Sequence, residues 1–139
     1  MDRPDERSDA RERALYLLYE AQAKGIDPAA TIDLQVIDPD AMTTDLVVGV
    51  AAHLAEIDAA IADKARDWPL GRMPVIDLSV MRLATYELMA RPDVPLAVVI
   101  DEAVELAKRF STDHSGRFVN GVLAAIAADV RRLVDEVDH

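Results

Sequence analysis

Residues Asp93 to Phe110 read DVPLAVVIDEAVELAKRF, and the fold turns on whether this stretch is a strand or a helix. Its first part, Val94 to Ile100, is rich in valine, a β-branched residue that suits a pleated, half-buried surface. The continuation overrules it. Ile100, Ala103, Val104, Leu106, Ala107 and Phe110 recur three or four positions apart over the remaining turns, the period of a helix with one buried face.

The same period holds on both sides. Upstream, Ile76, Val80, Leu83, Ala84 and Leu88 form an apolar stripe that should close at Arg91-Pro92, because a residue before proline is pushed out of the helical region. Downstream, a polar break from Ser111 to Ser115 precedes a last apolar face of Phe118, Val119, Val122, Leu123 and Ile126. Further back, Thr43 or Thr44 can cap a helix in which Val47, Val50, Ala51, Leu54, Ile57, Ile61, Ala65 and Trp68 are aligned, with Pro69 as its stop. Pro28 and Pro39 bracket a segment read as one short helix followed by a loop. The first helix is expected to start at Asp9, an N-cap with Glu12 three positions on, to align Ala14, Leu17, Leu18 and Ala21, and to stop at Gly25. Before Asp9, Pro4 and a dense mixture of charges predict a mobile arm. Together these elements predict an all-α helical bundle. It would be a single domain over 1–139, with an arm (1–9), an N-terminal helical half (10–70) and a C-terminal half (71–139) joined near Pro69 to Pro74.

Composition agrees with close-packed helices. Of 139 residues, 51% are hydrophobic but only 4% aromatic, so Ala, Val, Leu and Ile must fill the core. The absence of cysteine excludes a disulfide framework, a thiolate metal site and a cysteine nucleophile. No secretory pattern opens the sequence, and no apolar run approaches the roughly 20 residues of a membrane span, so a cytoplasmic protein is expected. The net charge is -11, unusual for a chain that grips phosphate. Its distribution is uneven: no Lys or Arg lies between Lys24 and Lys64, while Arg3, Arg7, Arg11, Arg13 and then Lys108, Arg109 and Arg117 are gathered elsewhere. A local positive face is compatible with the acidic total.

No catalytic constellation emerges. Asp113, His114 and Ser115 are adjacent in a turn, whereas triad members converge from separate places, so capping by Asp113 or Ser115 is the expected role. His53 and His139 lack companions at metal-ligand spacing. Asp101, Glu102 and Glu105 suit a helix start and a solvated face, with no Glu-x-x-His pair for a di-metal centre. Asn120 and Gly121 are read structurally: Gly permits close helix approach, and a buried Asn would need partners for its amide. Arg82 and Glu87 stand where an intramolecular ion pair can form. No cofactor, no metal and no enzymatic activity are expected.

Three blocks, IDLSVMRLATYEL (76–88), DVPLAVVIDEAVELAKRF (93–110) and FVNGVL (118–123), resemble the NusB family in order and spacing. ARERALYLLYEAQ (10–22) and the helix ending at Trp68 resemble it more loosely, so the likeness spans most of the chain. Asp101 stands where the family often has Asn. The resemblance implies an all-helical fold of two three-helix subdomains. It also implies a transcription antitermination factor, without catalysis, that binds boxA-type single-stranded RNA jointly with the ribosomal protein NusE. Such a factor acts indirectly on the RNA polymerase elongation complex during transcription of ribosomal RNA operons.

Carried over residue by residue, the implied RNA surface comprises Arg7 and Arg11 in the arm and first helix, with Tyr16 and Tyr19 on that helix. Phe110, His114, Ser115 and Arg117 complete it around the last turn. These residue types fit: Arg neutralises phosphate, aromatic rings stack on unpaired bases, and polar turn groups can read base edges. Tyr19 and Phe110 fit a core role equally well, whereas Arg11 and Arg117 are harder to explain by packing. In the arm, acidic residues dilute the arginines, which predicts weak RNA binding by the isolated protein and a large contribution from NusE. Two other readings remain: a protein-interaction module with weak or lost RNA binding, including a homodimer, and the NusB-like domain of an RNA methyltransferase. Against the second stands the lack of a cofactor-binding glycine motif.

Overall fold

The helix most shielded from solvent is α5 (Val75–Ala90), in which every residue from Asp77 to Leu88 except Arg82 is buried. A helix apolar nearly all round belongs at the centre of a bundle, and α5 touches α1, α3, α4, α6 and α7. The computed structural model describes the chain over 4–138, with side chains over 6–131. Over these residues it is all-α: α1 (Pro4–Lys24), α2 (Ala30–Asp33), α3 (Ala41–Ala52), α4 (Leu54–Lys64), a 3-10 turn (Leu70–Arg72), α5, α6 (Leu96–Phe110) and α7 (Asp113–Asp138). One group of three longer helices, α1, α3 and α4, precedes the turn and another, α5 to α7, follows it. The two groups share one core in which Leu15, Leu46, Ile57, Ile61, Met81, Leu88, Leu123 and Ile126 are fully enclosed.

The valine-rich start of the deciding stretch is helical, as its continuation predicts. Other expectations need correction. α1 begins at Pro4, not after Asp9, so the arm is helical from that point and Met1 to Arg3 lie outside the described residues. Proline suits a first helical turn because its missing N–H would have no partner there anyway. Asp9 is therefore inside α1 rather than its cap. The single helix expected up to Trp68 is two, α3 and α4, broken at His53 (φ -116°, ψ 22°), and the second stops at Lys64. Asp40 caps α3, its Oδ1 accepting from the Thr43 amide at 3.3 Å, in place of Thr43 or Thr44. Gly25 ends α1 as expected, in the left-handed region at φ 66°.

Two side chains fasten the elements around α5. Arg131 of α7 donates to the carbonyls of Leu88, Arg91, Pro92 and Val94 at 2.9–3.2 Å, so its guanidinium satisfies groups left open where α5 ends. Tyr86 lies over Gly49 of α3 and donates to Asp45 Oδ1 at 3.3 Å; burial, then the Asp45 carboxylate, raises its phenol above the ordinary value. Arg91 is also bonded to Asp45.

Candidate nucleic-acid interface

The sequence-derived site residues separate into three groups. The first is a cluster where the end of α6 meets the middle of α1. The Tyr16 and Phe110 rings meet edge to face with centroids 5.5 Å apart, and Tyr16 keeps 51% of its surface exposed. Arg109 lies over the Phe110 ring at 4.8 Å and donates to Glu12 Oε1 at 2.6 Å. Tyr19, one turn along α1, is 47% exposed. A half-exposed tyrosine against a partly buried phenylalanine that carries a guanidinium on its face is a platform on which an unpaired base can stack beside a cation. Arg109 had no place in the sequence-derived site; its signal was its position beside Phe110 at the basic end of α6.

The second group is the exposed start of α7, where His114 and Arg117 face solvent only a few residues beyond Phe110. Asn120 and Gly121 are exposed next to them, and a Cβ at Gly121 would meet nothing within 4 Å. The structural reading of these two residues is thereby overturned. The glycine of α7 that permits close approach is Gly116, whose Cβ would lie 2.9 Å from the Lys108 side chain.

The third group is not brought to this surface. Arg11 is 3% exposed, and its Nε and Nη2 donate to the two Glu87 carboxylate oxygens at 2.9 Å each, with Glu102 Oε1 3.6 Å from Nη1. Its place is in the core seam between α1 and α5, against the expectation that packing explains it less readily than RNA contact. Arg82, read as a possible neighbour of Glu87, instead pairs with Asp58 at 2.8 Å. Ser115 is 6% exposed and its hydroxyl donates inward to Asp77 Oδ2 at 2.8 Å, so it presents no hydroxyl to a base edge. The cap of α7 is Thr112, whose Oγ1 accepts from the Ser115 amide at 3.1 Å, rather than Asp113 or Ser115. Arg7 is exposed, but it precedes Tyr16 by nine positions, about two and a half turns, which puts it on the opposite side of α1. There it lines a cleft of about 550 Å³ with Arg13, Asp40 and Thr43.

Residues 8–128 match the model of the NusB family. The chain belongs to the NusB family. It is 48% identical over 133 residues to the transcription antitermination protein NusB of Saccharopolyspora erythraea, covering 91% of this chain and 90% of that protein. Its fold is similar to T. maritima NusB with a TM-score of 0.81 and 35% identity, over 92% of this chain and 93% of the other. A chain in a crystal structure of antitermination factors NusB and NusE in complex with dsRNA matches with a TM-score of 0.74 and 26% identity, over 88% of this chain and 96% of that one. The fold and family expected from the three sequence blocks are therefore those observed. No group of three or more His, Cys, Asp or Glu able to hold a metal occurs among the described residues, and none of the helices in them is long and apolar enough to cross a membrane.

Proposed function

We propose that this chain is a cytoplasmic transcription antitermination factor, without catalysis of its own, that holds boxA-type RNA jointly with the ribosomal protein NusE. Acting indirectly on the RNA polymerase elongation complex, the assembly supports transcription elongation of ribosomal RNA operons. The observation that carries the reading is the match, along nearly the whole chain, to NusB proteins, one of which has been seen with NusE and dsRNA. The RNA surface runs from Tyr16, Tyr19, Phe110 and Arg109 to His114 and Arg117, with Arg7 reached separately on the far side of α1. Arg11 and Ser115 support this surface from inside. Because Arg109 is already paired with Glu12 and the chain is acidic overall, RNA binding by the isolated protein is weak and NusE supplies a second contact surface.

The test is a titration of boxA RNA and a scrambled RNA against the protein, with and without NusE, at two salt concentrations. Sequence-preferring, salt-sensitive binding that strengthens with NusE is expected. Equal binding of both RNAs with NusE present would replace this reading by a protein-interaction module, which the burial of Arg11 in its pair with Glu87 favours.

A further inference from the structure

Beneath the turn that leads into His114 lies a carboxylate that the proposed function does not use. Asp77, in the first turn of α5, is 1% exposed; one oxygen accepts from Ser115 Oγ at 2.8 Å, and the other, Oδ1, is buried without a hydrogen-bond partner. An apolar side chain there would avoid the cost of that unmatched oxygen, so the carboxylate calls for a reason beyond packing.

The donor and acceptor logic of the turn supplies one. A serine hydroxyl has a single proton, and Ser115 gives its proton to Asp77. The Ser111 and Thr112 hydroxyls, each 3.0 Å from Ser115 Oγ, must then donate to it. Thr112 Oγ1 in turn accepts from the Ser115 amide and caps α7. One carboxylate thus sets the direction of every hydroxyl bond across the turn and fixes where α7 starts. Its charge stands at the N-terminal end of α5 and, through Ser115, against that of α7, where helix dipoles favour an anion.

We propose that Asp77 is a positioning residue for RNA: through Ser115 it locks the turn between α6 and α7 and so sets where His114 and Arg117 stand. The inference rests on the RNA reading above. It is tested with the full chain and NusE, using Asp77→Ala, Ser115→Ala, the double variant and Asp77→Asn, which keeps an acceptor for Ser115. Amide exchange over 112–117, NusE affinity and boxA affinity are measured for each. Asp77→Ala and Ser115→Ala are expected to exchange faster at the turn and to bind boxA about tenfold more weakly, with NusE affinity unchanged. The double variant should lose no more than the weaker single, since both break one link, and Asp77→Asn should recover most of the affinity.

A merely structural role would lower the melting temperature and leave boxA affinity of the folded protein untouched; that result, or unchanged exchange over 112–117, overturns the inference. Should Asp77→Ala not fold, Ser115→Ala against Asp77→Asn decides by the same criteria. A wild-type complex with no boxA preference overturns the RNA reading itself, and the wild-type control alone distinguishes that failure from this one.

Discussion

The pairs Arg11–Glu87 and Arg109–Glu12 both join α1 to the second half of the chain, and they stand in different media. Arg11 and Glu87 are 4% and 3% exposed at their side chains and are bonded through two parallel contacts of 2.9 Å. Arg109 and Glu12 are 49% and 23% exposed and share one contact of 2.6 Å. The buried pair is committed: neither partner can leave without stranding a charge where water cannot solvate it. The exposed pair is worth little to the fold, so Arg109 can trade Glu12 for an RNA phosphate at small cost. Position in the bundle, rather than residue type, separates an arginine that holds the protein together from the one proposed to hold RNA.

The contrast can be broken from the buried side first. Glu87→Ala removes both short contacts of the Arg11 guanidinium, leaving it in the seam with only Glu102 at 3.6 Å, and is expected to cost about 3–5 kcal/mol, read as a shift of the urea midpoint. Replacing both partners by Met and Leu should restore most of that stability. If the double replacement is as unstable as Glu87→Ala, the seam is not held as described. Next in size, Gly49→Ala places a methyl 2.1 Å from Tyr86 Cζ, beside Glu87 on α5, and should cost about 1–3 kcal/mol in the same assay.

On the exposed side the effects shrink and one changes sign. Gly121→Ala, with open space around the new Cβ in a helix interior, should stabilise by about 0.5–1 kcal/mol and raise the melting temperature. Arg109→Ala should alter stability by less than about 1 kcal/mol, as an exposed pair does. A larger loss would move Arg109 into the same class as Arg11.

Most of the fold was legible because it rests on local period. The stripes of α5, α6 and α7 and the stops at Gly25 and Arg91-Pro92 need only neighbouring residues to be read. The break at His53 was hidden because no Pro or Gly marks it and the apolar spacing runs through it; His53 N still bonds to Gly49 O and Ile57 N to His53 O. The site was less legible. Glu87 lies 76 positions from Arg11, and such a pair is a tertiary fact. A signal was nonetheless present: Arg11, Ala14, Leu15 and Leu18 share helical spacing, so Arg11 falls within the buried stripe of α1. Ser115 looks from the sequence like a turn residue open to solvent because nothing local shows Asp77 beneath it.

The most direct test of the account compares boxA affinity of wild type and Arg109→Ala, each bound to NusE, across a salt series. Weaker binding is expected for Arg109→Ala at low salt, with a log–log salt slope shallower by about 0.7 from one lost phosphate contact and a stability change below about 1 kcal/mol. Wild-type affinity and slope in Arg109→Ala would contradict it and remove the α1–α6 cluster from the RNA surface.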